Sequence, residues 1–145
     1  MTGLRLHAVD EILGDDGLYY QITPGHGRVL PFNAAARYLP TATLDVLEPA
    51  ISASGVHFLI QGTTRFSGPQ TAALLAALEE FEAVVSAAQS AAEVYRQRVA
   101  AKRALSGYAG WADARREIVT LSQALRSWLQ ALPDIEDGLT MSGPQ

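Results

Sequence analysis

Three histidines are the side chains best suited to acid–base or metal chemistry: His7, His26 and His57. Imidazole is the commonest metal ligand in proteins and it titrates near neutral pH. His7 and His57 fall in predicted strands and His26 in a predicted turn, so a fold that brought the three together would create a site. None of them has a ligand spacing such as HExxH. Ordinary surface or half-buried histidines are therefore the simpler interpretation.

The other polar motifs are typical of turns. An acidic cluster at residues 10–16 lacks the ligand spacing and the closing glutamate of a calcium loop. Residues 25–27 contain two glycines, but no helix start with Lys-Ser or Lys-Thr follows, as a phosphate-binding loop requires. No serine lies in a GxSxG context, and the absence of cysteine excludes disulfides and thiol chemistry. We expect a non-enzymatic protein that has no resident cofactor or metal.

A basic cluster lies between residues 94 and 116, where Asp113 is the only acidic residue. Its members are Arg96, Arg98, Lys102, Arg103, Arg115 and Arg116. Cations near the end of a helix offset the helix dipole, but Arg115 and Arg116 fall at the start of the next predicted helix, where cations are disfavoured. The cluster therefore predicts contact with an anionic partner, either an acidic protein or nucleic-acid phosphates. A solvated helix surface is the alternative.

Two long predicted helices within residues 67–132 would position these side chains. Their apolar residues alternate at spacings of four and three, the pattern of helices that pack side by side. We expect the helical interface to contain Leu74, Leu78, Phe81, Val85, Tyr95, Ile118, Leu125 and Trp128. Ser67 and Gln70 form a capping box, and Pro133 stops the second helix. Because the connection near Gly107 is short, the sequence predicts a long antiparallel, coiled-coil-like hairpin.

The first helix of this hairpin is longer than the second, about 55 Å against about 33 Å at 1.5 Å per residue. Its amino-terminal half therefore needs cover, either from the amino-terminal region or from another subunit. Alanine occupies many positions farther along the first helix, where a self-sufficient helix pair would carry larger side chains. Since alanine buries little apolar area, association with further helices is one expectation. Packing on the sheet is the other.

The region before the hairpin predicts a small antiparallel sheet. Residues 4–13, 18–23, 28–32 and 56–60 are β-prone runs, and short helices are expected at 33–38 and from Thr43. The predicted fold class is thus α+β. Residues 1–66 would form a small β-rich domain, residues 67–133 the helical hairpin, and residues 134–145 a flexible tail.

Composition limits the possible functions. The 145-residue chain is 48% hydrophobic and 18% charged, which favours a folded state. Its net charge of −4 gives no general attraction to nucleic acid, and no apolar run is long enough to predict a membrane span. We expect an assembly or adaptor protein that self-associates or docks in a larger complex, in the cytoplasm or in a virus particle. The alternatives are nucleic-acid binding through the basic cluster, and a small enzyme or ligand-binding domain.

Overall fold

The computed structural model describes residues 4–14, 17–27, 29–30, 33–57 and 62–143. These residues form helices and a four-stranded antiparallel sheet, joined by turns and loops. The predicted α+β class is therefore confirmed. The helices are α1 (Val9–Ile12), α2 (Thr41–Ala53), α3 (Gly68–Ala87), α4 (Ala91–Tyr95), α5 (Val99–Ala104) and α6 (Trp111–Gln130), followed by a 3-10 turn at Ile135–Asp137. The strands are β1 (Tyr19–Pro24), β2 (Arg37–Pro40), β3 (Gly62–Phe66) and β4 (Leu139–Gly143).

The sheet has the strand order β2-β1-β4-β3, and every neighbouring pair is antiparallel. β4 comes from the segment for which the sequence predicts a flexible tail, yet it lies between β1 and β3. Met141 stands opposite Ile22 on one side and opposite Thr64 on the other. Because both neighbours supply hydrogen bonds and burial, this short strand needs little β-propensity of its own.

The predicted long coiled-coil hairpin is not confirmed, because its first helix is interrupted twice. Ala88 has an extended backbone after α3, and Arg96 has a φ of 47° after α4. Only α3 therefore runs along α6, and each of these two helices is 20 residues long. The two helices that pack together are therefore equal in length, and the predicted excess length of the first helix is not found in this pair.

The amino-terminal predictions are confirmed in part. β1 and α2 lie where the sequence predicts them, and Pro49 is inside α2. The strand predicted at residues 4–13 is wrong, because that segment contains α1 and a single β-bridge from His7 to Tyr38. The helix predicted at 33–38 is also wrong, since β2 begins at Arg37. The strands predicted at 28–32 and 56–60 fall largely outside the described residues.

One hydrophobic core joins the sheet to the helices. It contains Ile22 from β1, Leu47 from α2, Leu78 from α3, Leu125 from α6 and Met141 from β4. Side chains from the predicted amino-terminal domain and from the predicted hairpin thus bury one another. The core packs α3 against both α6 and α2, and the outer faces of α3, α4 and α5 form surface features.

Candidate functional site

The residues predicted for the helical interface lie mainly in the core of the single chain. Leu74, Leu78, Phe81, Val85, Tyr95, Ile118 and Leu125 are each at most 6% exposed, and Trp128 is half-buried. They are brought together by the packing of α3 on α6 and of α2 on α3. The sequence predicts that either the amino-terminal region or another subunit packs against the first helix. In the described structure α2, from the amino-terminal region, packs against α3.

Three residues of the predicted basic cluster have partners within the chain. Arg98 forms an ion pair with Glu48 on α2, and Arg116 pairs with Asp113 at 2.6 Å. The third, Arg115, contacts the Ala88 carbonyl oxygen. Arg96, Lys102 and Arg103 are exposed.

Arg115 and Trp111 close the end of α3. Trp111 donates its indole Nε1–H to the Ala88 carbonyl oxygen at 2.8 Å, and Arg115 Nη1 lies 3.4 Å from the same oxygen. A helix carboxyl terminus has unpaired carbonyl groups and a partial negative charge, which a guanidinium stabilises. Arg115 is thus disfavoured by the dipole of its own helix but favoured by that of α3. This contact gives it a structural role that the sequence analysis missed.

The three histidines occupy different environments. His7 is buried and packs edge-on against Tyr19, with ring centroids 6.0 Å apart. His26 Nε2 lies 2.6 Å from the Phe66 carbonyl oxygen, and His57 is exposed. Among the residues that the structure describes, no group of three or more His, Cys, Asp or Glu side chains is arranged to hold a metal ion.

An apolar groove, which we call the Val84 groove, lies where the first predicted helix is interrupted. Its volume is about 330 Å³, and its walls come from α2, α3 and α4. The lining residues are Pro49, Ala50, Ala53, Ala77, Glu80, Phe81, Val84 and Val94. Val84 is 51% exposed although its neighbours Phe81 and Val85 are buried. The interruption thus leaves an apolar surface that a continuous helix packed on α6 would not have formed.

Two contacts hold α4 in the position that shapes this groove. The Glu93 carboxylate accepts a hydrogen bond from the Ser90 N–H at 3.0 Å, which closes the start of α4. Tyr95 is fully buried, and its hydroxyl donates to the Val46 carbonyl oxygen in α2 at 2.9 Å. The spacing of Ser90 and Glu93 is that of a capping box. This spacing is a sequence signal for a new helix start at Ser90, and the sequence analysis did not use it.

Charged side chains of opposite sign lie on the elements around the Val84 groove. Glu79 and Glu80 are exposed on α3, and Glu80 lines the groove itself. α5 packs against α2 and exposes Lys102 and Arg103. It begins at Val99, which is 64% exposed. The groove lining thus carries the acidic side chain of Glu80, and the exposed cations lie on α5, which packs against one of the groove-forming helices.

No protein-family model, curated protein or solved structure matches this chain. None of the helices in the described part of the chain is long and apolar enough to span a membrane.

A second concave surface, the Trp128 cleft, lies at the other end of α6. Its volume is about 450 Å³. It is lined by Pro24, Gly25, Ala34, Ala35, Arg37, Trp128, Leu132, Pro133, Asp134 and Asp137. The Arg37 guanidinium lies 5.5 Å from the centre of the Trp128 ring, within the range of a cation–π contact. Trp128, predicted to be a helix-packing residue, thus contributes to a surface that also carries charge.

Proposed function

We propose that this chain is a non-enzymatic assembly protein that associates with a second copy of itself through the Val84 groove and α5. The observation that carries the proposal is the exposure of Val84 and Val99 on elements that otherwise pack into the core. Apolar surface of this kind is stabilised when a partner removes it from water. An assembly component of the cytoplasm or of a virus particle is the protein class that we propose.

The distribution of charge favours a second copy as the occupant of the groove. In a twofold-symmetric interface the same surface meets itself in the reverse direction. Glu80 on one copy would then approach Lys102 or Arg103 on the other, and the same contact would occur twice. Val99 would supply the apolar contact between these charged positions. The proposed interface would thus join apolar surface to apolar surface and place opposite charges together.

The basic cluster gives weaker support for nucleic-acid binding. Arg98 and Arg116 form ion pairs within the chain, and Arg115 contacts the end of α3. A phosphate would have to compete with these partners for three of the six cationic side chains. Self-association uses Lys102 and Arg103, which are exposed, together with the adjoining apolar surface.

A pair of matched substitutions tests the proposal. Val84→Glu places a charge in the groove and is expected to convert a dimer into a monomer, because an unpaired carboxylate is costly to bury. Leu13→Glu is the control, since Leu13 is 61% exposed and lies outside the groove. The Leu13→Glu variant should have the same mass in light scattering as the unchanged protein. Equal masses for the Val84 variant and the unchanged protein would contradict the proposal.

Charge exchange tests the orientation of the two copies. Glu80→Lys and Lys102→Glu are each expected to weaken association, because each brings like charges together across the interface. The double variant restores opposite charges and should recover most of the affinity. Additive losses in the double variant would show that these two positions do not face one another.

A further inference from the structure

The Trp128 cleft combines an apolar surface with charges of both signs. Trp128 and Leu132 supply the apolar surface, Arg37 supplies the cation, and Asp134 and Asp137 supply the anions. Its volume of about 450 Å³ is within the range of small-molecule sites in proteins. It lies on the ends of β1 and α6 and on the residues before β4, which are elements that the Val84 groove does not use.

The charges of this cleft are not neutralised by one another. Arg37 Nη1 donates to the carbonyl oxygen of the preceding Ala36 at 2.9 Å, and the guanidinium lies over the Trp128 ring. Within the described residues, neither Arg37 nor Asp134 nor Asp137 forms an ion pair closer than 4.0 Å. A guanidinium and two carboxylates therefore line one cleft without pairing with one another among the described residues.

A small zwitterion matches this arrangement. Guanidinium groups bind carboxylates through paired hydrogen bonds, and carboxylates bind ammonium groups through charge-assisted hydrogen bonds. An apolar side chain on the same ligand would bury its surface against the indole of Trp128. We propose that the Trp128 cleft binds a free α-amino acid with an apolar side chain. Its carboxylate would lie at Arg37 and its ammonium group at Asp134 or Asp137.

The two tryptophans provide a direct measurement and an internal control. In a ¹H–¹⁵N spectrum of the full chain, titration with L-leucine should move the indole N–H signal of Trp128 in a saturable way. The signal of Trp111 should stay in place, because its indole donates to Ala88 away from the cleft. A Trp128→Phe variant assigns the two signals. Absence of a saturable shift at Trp128 up to about 10 mM leucine, far above typical site affinities, would overturn the proposal.

Ligand analogues test the two charges separately. N-acetyl-leucine lacks the ammonium group and leucinamide lacks the carboxylate, so each should bind at least about tenfold more weakly than leucine, equivalent to about 1.4 kcal/mol. A dipeptide that binds as tightly as leucine would show that the cleft recognises peptide ends and would overturn the assignment to free amino acids. Equal binding of leucinamide and leucine would remove the role of Arg37.

Substitutions in the cleft complete the test. Arg37→Gln and the paired change Asp134→Asn with Asp137→Asn should each reduce leucine affinity about tenfold or more, because each removes the charge-assisted hydrogen bonding to one end of the ligand. Arg65→Gln is the control, since Arg65 is exposed on β3 and outside the cleft. Unchanged affinity in both cleft variants would overturn the proposal. Self-association through the Val84 groove is measured independently, so the two proposals can fail separately.

Discussion

Arg126 on α6 donates two hydrogen bonds to the Glu82 carboxylate on α3, at 2.6 and 2.8 Å. Ser122 donates to the same carboxylate at 2.7 Å. The Glu82 side chain is only 10% exposed and that of Arg126 is 23% exposed. Because a buried carboxylate without partners is costly, these contacts favour one alignment of the two helices. The same alignment sets the position of Val84, two residues farther along α3.

Arg126→Leu should lower the free energy of unfolding by about 2 kcal/mol, because it leaves the Glu82 carboxylate with fewer hydrogen bonds. The partial exposure of Arg126 keeps the loss below that of a fully buried pair. Urea unfolding measures the change. Arg116→Leu is the control on the same helix, because its ion pair is exposed and should contribute less than about 1 kcal/mol. Similar losses in the two variants would contradict the role of the Glu82 pair.

Tyr95 should make stability fall at high pH. Burial raises the pKa of its phenol above the usual 10. The unfolded chain therefore releases this proton at a lower pH than the folded chain does, and the free energy of unfolding decreases as the pH rises above about 10. Tyr95→Phe should cost about 1 kcal/mol near pH 7 through loss of the hydrogen bond to Val46. The difference between the two proteins should narrow above about pH 10. A constant difference across this range would contradict the argument.

Asp45→Asn is expected to stabilise the protein near neutral pH. Burial raises the pKa of the Asp45 carboxyl, so the folded chain holds this proton more tightly than the unfolded chain. Stability is therefore highest when Asp45 is protonated and decreases as the pH rises through its pKa. The variant should melt at a higher temperature than the unchanged protein at pH 7, and the two should melt alike near pH 3, about one unit below the usual pKa of aspartate. A variant that is less stable at pH 7 would show that the charged form makes a favourable contact.

Gly138 is expected to be essential for the position of β4. Its φ is +80°, and a Cβ atom built on it would lie 1.9 Å from the Phe66 carbonyl oxygen. Gly138→Ala should therefore cost about 2–4 kcal/mol of unfolding free energy, from strain and from displacement of β3. Gly14→Ala is the matched control, since Gly14 also has a positive φ but its Cβ would meet no atom within 4 Å. Equal losses at the two positions would show that the approach to Phe66 is unimportant.

The parts of the fold that local sequence determines could be predicted. Ser67 and Gln70 form the predicted capping box, with hydrogen bonds of 2.9 and 3.2 Å, and α6 ends three residues before Pro133. Such signals depend on residues next to one another in the chain. The strict spacing of apolar residues identified positions that are buried, but it could not show whether the same chain or another one covers them.

Features that depend on distant contacts could not be predicted in this way. The end of α3 is stabilised by Trp111, 23 residues later, and α4 is held by a hydrogen bond from Tyr95 to Val46, 49 residues earlier. β4 has few strand-forming residues and takes its place from β1 and β3. The Trp128 cleft likewise joins Arg37 to the end of α6, so no local motif indicates it.

The most direct test of self-association is the solution mass of the full chain by light scattering, over about a hundredfold range of concentration and at low and high salt. We predict twice the mass of a single chain at the upper concentrations. The dimer should persist at high salt with reduced affinity, because apolar contacts at Val84 and Val99 remain while the charge pairs are screened. A single-chain mass at every concentration and at both salt concentrations would contradict the assignment as a self-associating assembly protein.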